Sequence, residues 1–196
     1  MTGIFRRRRS PASWIILTTF ACGGRATTPG KGGVEPQPAR VVPIAQAIVL
    51  ETSGPPPADT SVTFTAGMVH TIVLRHGAPD NLVFAELTFP PAAFADSGRE
   101  VQVEVKPRRG VYGLDIRTSA PLRGAATLVF KYARYFLSPA KARSLYGNDV
   151  QFEQALAIGQ MLPNDQLALL PSSRPASDNL QASVTSAGSY VVAAAR

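Results

Sequence analysis

"EVQVEVK", residues 100–106, decides how the rest of the chain is read. Val101, Val103 and Val105 alternate with Glu100, Gln102, Glu104 and Lys106. An extended strand sends successive side chains to opposite faces, so this pattern buries one face in valine and wets the other with charge. Valine is also stiff at its first side-chain torsion, which suits a pleated surface better than a helix. The same texture continues on both sides. "VYGLDIRT" (111–118) follows across the turn "PRRG", and "ATLVFKYA" (126–133) follows across "APLRG". Upstream, "VHTIVLRH" (69–76) and "LVFAELTF" (82–89) flank "GAPDN", which predicts a hairpin. "SVTFTA" (61–66) alternates with Val62 and Phe64 on one face, and "VVPIAQAIVL" (41–50) reads as a first strand stopped by the breaker "SGPPPADT". Downstream come "LAIGQML" (156–162), "QLALL" (166–170), "LQASVTS" (180–186) and "YVVAAA" (190–195). About ten short strands, evenly spaced and separated by Pro and Gly, predict an all-β, antiparallel β-sandwich.

One interval departs from this texture. In "SPAKARSLYG" (138–147), Ser138 is placed to cap a helix, Pro139 to occupy its first position and Gly147 to stop it. "NDVQFEQALAIG" begins as a second short helix and passes into strand. One or two short helices are therefore expected around 138–155, inserted in a single β-sandwich domain over 41–196. That length is enough for one ordinary hydrophobic core.

The N-terminus is of another kind. Arg6 to Arg9 precede an uncharged stretch from Pro11 to Ala21, and the chain then turns polar and glycine-rich. A basic region, a short apolar region and a small residue at its end are the layout of a signal peptide over 1–21. The apolar stretch falls short of the roughly 20 residues that span a bilayer. Cys22 follows at once and is the chain's one cysteine, so it cannot form an internal disulfide. Residues 22–40 carry Gly, Pro, Thr and charge without apolar periodicity, which predicts a flexible Gly/Pro linker. As a coil it would extend on the order of 20–25 Å.

Ala21-Cys22-Gly23-Gly24 resembles the lipobox of bacterial lipoproteins. That resemblance implies cleavage before Cys22 and lipid attachment to its sulfur, leaving the protein lipid-anchored in the bacterial cell envelope. Two or more acyl chains hold a protein stably on a membrane. Thr19 and Phe20 depart from the family's preferred Leu and small residue, whereas Ala21 fits. Ordinary signal peptidase cutting at the same boundary would instead release a soluble secreted or periplasmic protein.

The formal charge of +7 invites a nucleic-acid reading. Residues 1–21 hold four arginines and no acid, so their removal lowers the charge to +3, and from Val41 onward it is +1. The basic excess belongs to the leader and linker, and no nucleic-acid partner is expected. Residues 99–143 keep a local bias, ten Lys or Arg against Glu100, Glu104 and Asp115, which reads as a solvated face.

Three segments together carry a second resemblance: "LTFPPAAFADSGREVQVEVKP", "YGLDIRTSAPLRGAATLVFKY" and "QLALLPSSRPASDNLQASVTSAGSYVVAA". Over roughly residues 80–196 they resemble the ZU-five type domain, the β-sandwich module of ankyrins, netrin receptors and many bacterial envelope proteins. The resemblance implies a structural or interaction module. Some members of that group cleave themselves at a His-Phe-Ser step. Ala187, Gly188 and Ser189 stand there in this chain, so self-cleavage is not expected.

No catalytic constellation emerges from the residues. His70 and His76 lie on one strand, on one face, about 20 Å apart at the rise of an extended chain, too far to share a metal. Neither a Gly-x-Ser-x-Gly elbow nor a phosphate-binding loop occurs. Glu100 and Glu104 share the solvated face of the valine strand. The one local feature suited to a ligand is "KYARYF": Lys131, Tyr132, Arg134, Tyr135 and Phe136 as an aromatic and cationic platform for a sugar or peptide. Its plainer reading is a set of aromatics plugging the core beneath the 138–147 helix. The expectation is an envelope-anchored lipoprotein with a non-catalytic β-sandwich module. It would use no cofactor or metal, and its partners would be the membrane, through Cys22, and an envelope protein or glycan. The alternative is a secreted or anchored carbohydrate-active or carbohydrate-binding protein.

Overall fold

Alternating patterns of this kind assemble into two antiparallel sheets in a computed structural model, which describes residues 38–196. The expected signal peptide, Cys22 and the linker up to residue 37 lie outside the described residues. In chain order the strands are β1 (Arg40–Pro43), β2 (Ala47–Val49), β3 (Glu51–Thr52), β4 (Thr60–Thr65), β5 (His70–Arg75), β6 (Val83–Phe89), β7 (Glu100–Pro107), β8 (Gly113–Thr118) and β9 (Ala126–Lys131). After them come β10 (Phe136–Leu137), helices α1 (Ala140–Tyr146) and α2 (Asp149–Ala155), then β11 (Ala157–Leu162), β12 (Gln166–Leu169), β13 (Ser172–Ser173), β14 (Asn179–Val184) and β15 (Gly188–Ala195). One sheet runs β1-β12-β11-β15-β8-β7-β4, with β2 also on β15; the other runs β13-β14-β9-β6-β5. β3 and β10 form a separate short pair.

The sandwich is all-β and antiparallel, as the texture predicts. Val101, Val103 and Val105 are fully buried, while Glu100, Gln102 and Lys106 face water. Together with Leu114 and Ile116 of β8 they share one core with Phe84 and Leu87 of β6 and Leu128 and Phe130 of β9. Tyr112 stacks on Phe84 with ring centroids 5.2 Å apart. Burying side chains of this size contributes about 1.5–3 kcal/mol each, the main force holding the sheets together. The hairpin expected at "GAPDN" is β5–β6, paired from His70–Phe89 to Arg75–Val83. Near the start of β15, the Tyr190 hydroxyl donates to the Ser186 carbonyl at 2.6 Å. This is the tyrosine-corner contact that fixes the approach to a closing strand in many sandwiches.

Three local expectations need correction. The run 41–50 is not one strand: Pro43 leads into a 3-10 turn, Ile44–Gln46, and the chain crosses from β12 to β15. A proline lacks the ladder donor, so the run breaks there. Fifteen strands form instead of about ten, because that run divides and the two-residue strands β3, β10 and β13 carry no periodic signal. Ser138 does not cap α1. Pro139, in extended geometry, is the residue before the helix, and its carbonyl accepts from the Ala142 N–H at 2.8 Å. Ser138, kept extended by the proline after it, turns inward and is 8% exposed. Gly147 does stop α1, at φ +78°, and Asn148 caps α2 by accepting from the Gln151 N–H at 2.9 Å.

Segment 40–49 is a strap. Its start pairs with β12 and its end with β15, the two strands that flank β11. The ring so closed holds a second apolar cluster: Val42, Ala47, Leu167, Leu169, Val191 and Ala193. Gly159 of β11 faces it, and a Cβ there would meet the Leu167 side chain at 2.8 Å.

Candidate functional surface

β7, β8 and the start of β15 lie side by side, and alternation turns their polar residues outward together. The register sets Glu104 opposite Arg117, Lys106 opposite Asp115, and Asp115 opposite Ser189. These residues, with Arg108 and Gly188, line a shallow cleft of about 290 Å³. Asp115 Oδ1 accepts from Arg108 Nη1 at 2.9 Å and from Ser189 Oγ at 2.6 Å. Lys106 reaches Asp59 at 3.9 Å. The cleft therefore offers fixed hydrogen-bonding groups of both charge signs. The Ser189 hydroxyl donates to the Asp115 carboxylate, and both histidines belong to the other sheet's β5 region.

Alternation alone places Asp115 on the outer face of β8, but its partner Ser189 lies 74 residues on. Only the order of strands in the sheet brings them together, and that order is not written in local pattern.

The candidate residues at 131–136 point in different directions. Tyr132 is buried, and its hydroxyl donates to Glu153 Oε1 at 3.0 Å. Burial pushes its phenol up to about 12. Lys131 lies on the outer face of β9 and pairs with Glu86 of β6 at 2.7 Å. Tyr135 packs over Gly54, where a Cβ would meet its ring at 2.5 Å, and against His76. Phe136 lies between Tyr132 and Phe152, with centroids at 6.0 and 6.3 Å. Arg134 is exposed. Tyr132 thus belongs to the core, and Tyr135 and Phe136 are half-buried beside it.

The histidines are spent on packing. His70 stacks on Phe64 with centroids 4.2 Å apart. His76 is 2% exposed, with Nδ1 2.9 Å from the Pro55 carbonyl and its ring against Phe84, Tyr112 and Tyr135. Tyr112, also buried, has its phenol pushed up to about 12 by desolvation. Its hydroxyl donates to the Tyr132 carbonyl at 3.0 Å. Among the described residues no three His, Cys, Asp or Glu side chains come together.

The basic bias over 99–143 does not become one patch. Five of its ten cations are ion-paired, Arg99 with Asp96, Lys106 with Asp59, Arg108 with Asp115, Lys131 with Glu86 and Arg143 with Asp149. They are spread over both sheets and the helices. Glu100 is exposed, and Glu104 is half-buried in the cleft.

No protein-family model, curated protein or solved structure matches this chain.

Proposed function

We propose that this chain is an envelope lipoprotein, acylated at Cys22, whose β-sandwich acts as a non-catalytic binding module. The observation that carries the reading is the spacing at its start. A basic and apolar leader sequence ends at Ala21, Cys22 follows, and a Gly/Pro-rich stretch of sequence separates it from Arg40, where the first strand among the described residues begins. The ZU-five type reading rests on the sequence resemblance over roughly residues 80–196. The binding surface proposed is the cleft of Glu104, Lys106, Arg108, Asp115, Arg117 and Ser189, open to a polar envelope component, protein or glycan. No helix among the described residues is long and apolar enough to cross a membrane. In this reading attachment comes from the acyl chains alone.

Intact-mass measurement on the native membrane fraction tests the anchor. The expected species starts at Cys22 and carries added acyl mass, and Cys22→Ala abolishes it. A chain beginning at Cys22 or Gly24 without added mass would replace the anchor with simple secretion. An uncut chain from Met1 would overturn export itself.

A further inference from the structure

β5 is the free edge of its sheet. An uncovered edge strand offers a row of unpaired backbone groups to another strand, and most proteins blunt such edges. The other edges of this domain are blunted. β1 carries Pro43 and folds away as the strap; β13 is two residues long, between Pro171 and Pro175; β4 follows three prolines and turns only Ser61, Thr63 and Thr65 outward. β5 has no proline and no lysine, and among the described residues no strand pairs with its outer side; just beyond its end the Gly77 N–H donates to the Pro55 carbonyl at 3.4 Å. It also gathers exposed apolar side chains. Of eight large hydrophobics exposed among the described residues, Met68, Val69, Val73 and Leu82 lie on or beside this strand.

The His76 N–H donates to the Leu82 carbonyl, toward β6. The pairing skips Phe84 between Leu74–Ala85 and Arg75–Val83, so the bulge lies on β6 and alternation along β5 is unbroken: the N–H and C=O of His70, Ile72 and Leu74 turn to β6 as well. Thr71, Val73 and Arg75 point theirs at the empty edge. An antiparallel copy of the same strand, centred on Val73, meets this edge without remainder. Val73 faces Val73 and Thr71 faces Arg75, so all three outward residues find hydrogen-bonded partners within the strand. No like charges are opposed, since Arg75 stands across from threonine and not from its own copy. Such a self-complementary patch closes with two-fold symmetry. The chain's own segment 23–37 is a poor competitor for the edge, being rich in Gly with Pro29 and Pro36.

We propose that two copies of this chain pair through β5, antiparallel and centred on Val73, to make one continuous sheet across the dimer. The pairing does not depend on the anchor at Cys22. A single-strand contact is a small interface, so the dimer is a weak one in solution.

Single thiols test it in the full chain carrying Cys22→Ala, with a short bifunctional thiol reagent. Val73→Cys meets its own copy, whereas the two copies of Thr71→Cys stand four residue steps apart, about 13 Å. Thr63→Cys on the outer face of β4 is the control. The expected result is covalent dimer from Val73→Cys at severalfold the yield of either other variant. In sedimentation, Val73→Lys is expected to raise the concentration of half-dimerisation about tenfold with the melting temperature unchanged. Equal yields at the three positions, the highest yield at Thr63→Cys, or a chain that sediments as monomer throughout overturns the proposal. A monomer would leave the edge to a strand from a different protein.

Discussion

β7 and β15 are both eight residues long and lie in the same sheet, yet β7 buries one face and β15 buries two. On β7 the valines point into the sandwich, and Glu100, Gln102 and Lys106 meet water. On β15, Tyr190, Val192 and Ala194 belong to the main core, while Val191 and Ala193 belong to the cluster beneath the strap. The two strands announce this difference in their own composition: strict alternation for one buried face, an unbroken apolar run for two. What covers the second face of β15 is not visible in β15. It is a segment some 150 positions earlier, and its approach depends on small residues, Ala193 and Gly159, that leave it room.

The sharpest way to break this comparison is to put the same charge on matched positions. Ala193→Asp places a carboxylate where no water reaches. An unpaired buried charge is among the few single changes that cost more than about 4 kcal/mol, so the variant is expected to be largely unfolded. Gln102→Asp on the wet face of β7 is expected to shift stability by no more than about 0.5 kcal/mol. Denaturant midpoints of the two proteins decide it. Similar midpoints would mean that the strap does not seal β15.

A gentler change separates the two cores. Leu167 is fully buried in the second cluster. Leu167→Ala is expected to cost about 2–5 kcal/mol if the cavity cannot collapse. Because the strap's strands pair with β12 and β15 and not with β7, its amides should exchange faster in this variant, while those of β7 keep their protection. Equal acceleration in both places would show one cooperative unit instead of a core with a separable lid.

The legibility of the fold follows the same division. β7, β8, β9 and the β5–β6 hairpin show in the sequence because each has one wet face, and a wet face writes period two into the chain. β15 carries no such period because both its faces are buried by partners distant in sequence, and "VVPIAQAIVL" carries none because the turn Ile44–Gln46 divides it into two short strands. In the second, Pro43 is the last paired residue of β1, and the strand ends there. Ser138 misled for a related reason: a serine before a proline suits a cap by type, but here the proline itself occupies the cap position. The cleft was the least legible. Asp115, Ser189 and Arg108 are ordinary outward residues one by one, and only strand order makes them neighbours. Of the platform at 131–136, the aromatic content was readable but its direction was not. The end of β9 at Lys131 sends Tyr132 inward beneath α2.

The smallest expected effect distinguishes the cores by chemistry. The cluster under the strap is Val, Ala and Leu, with no titrating group. The main core includes Tyr112 and Tyr132, whose phenols burial pushes from 10 up to about 12. In the unfolded chain they ionise near 10, so above that pH the unfolded state holds fewer protons than the folded one. Stability from this source is complete below pH 10 and falls as pH rises toward 12. Tyr132→Phe should flatten that decline. Near neutral pH it should cost about 1 kcal/mol, the hydroxyl's bond to Glu153. Leu167→Ala lowers stability by an amount that does not change between pH 8 and 12, because nothing it touches titrates there. Denaturant unfolding across that range, followed by tyrosine absorbance, reads both. An unchanged slope in Tyr132→Phe would mean that the phenol already meets solvent in the folded chain. The inner end of the sandwich beneath α2 would then be wetter than the sealed ring beneath the strap.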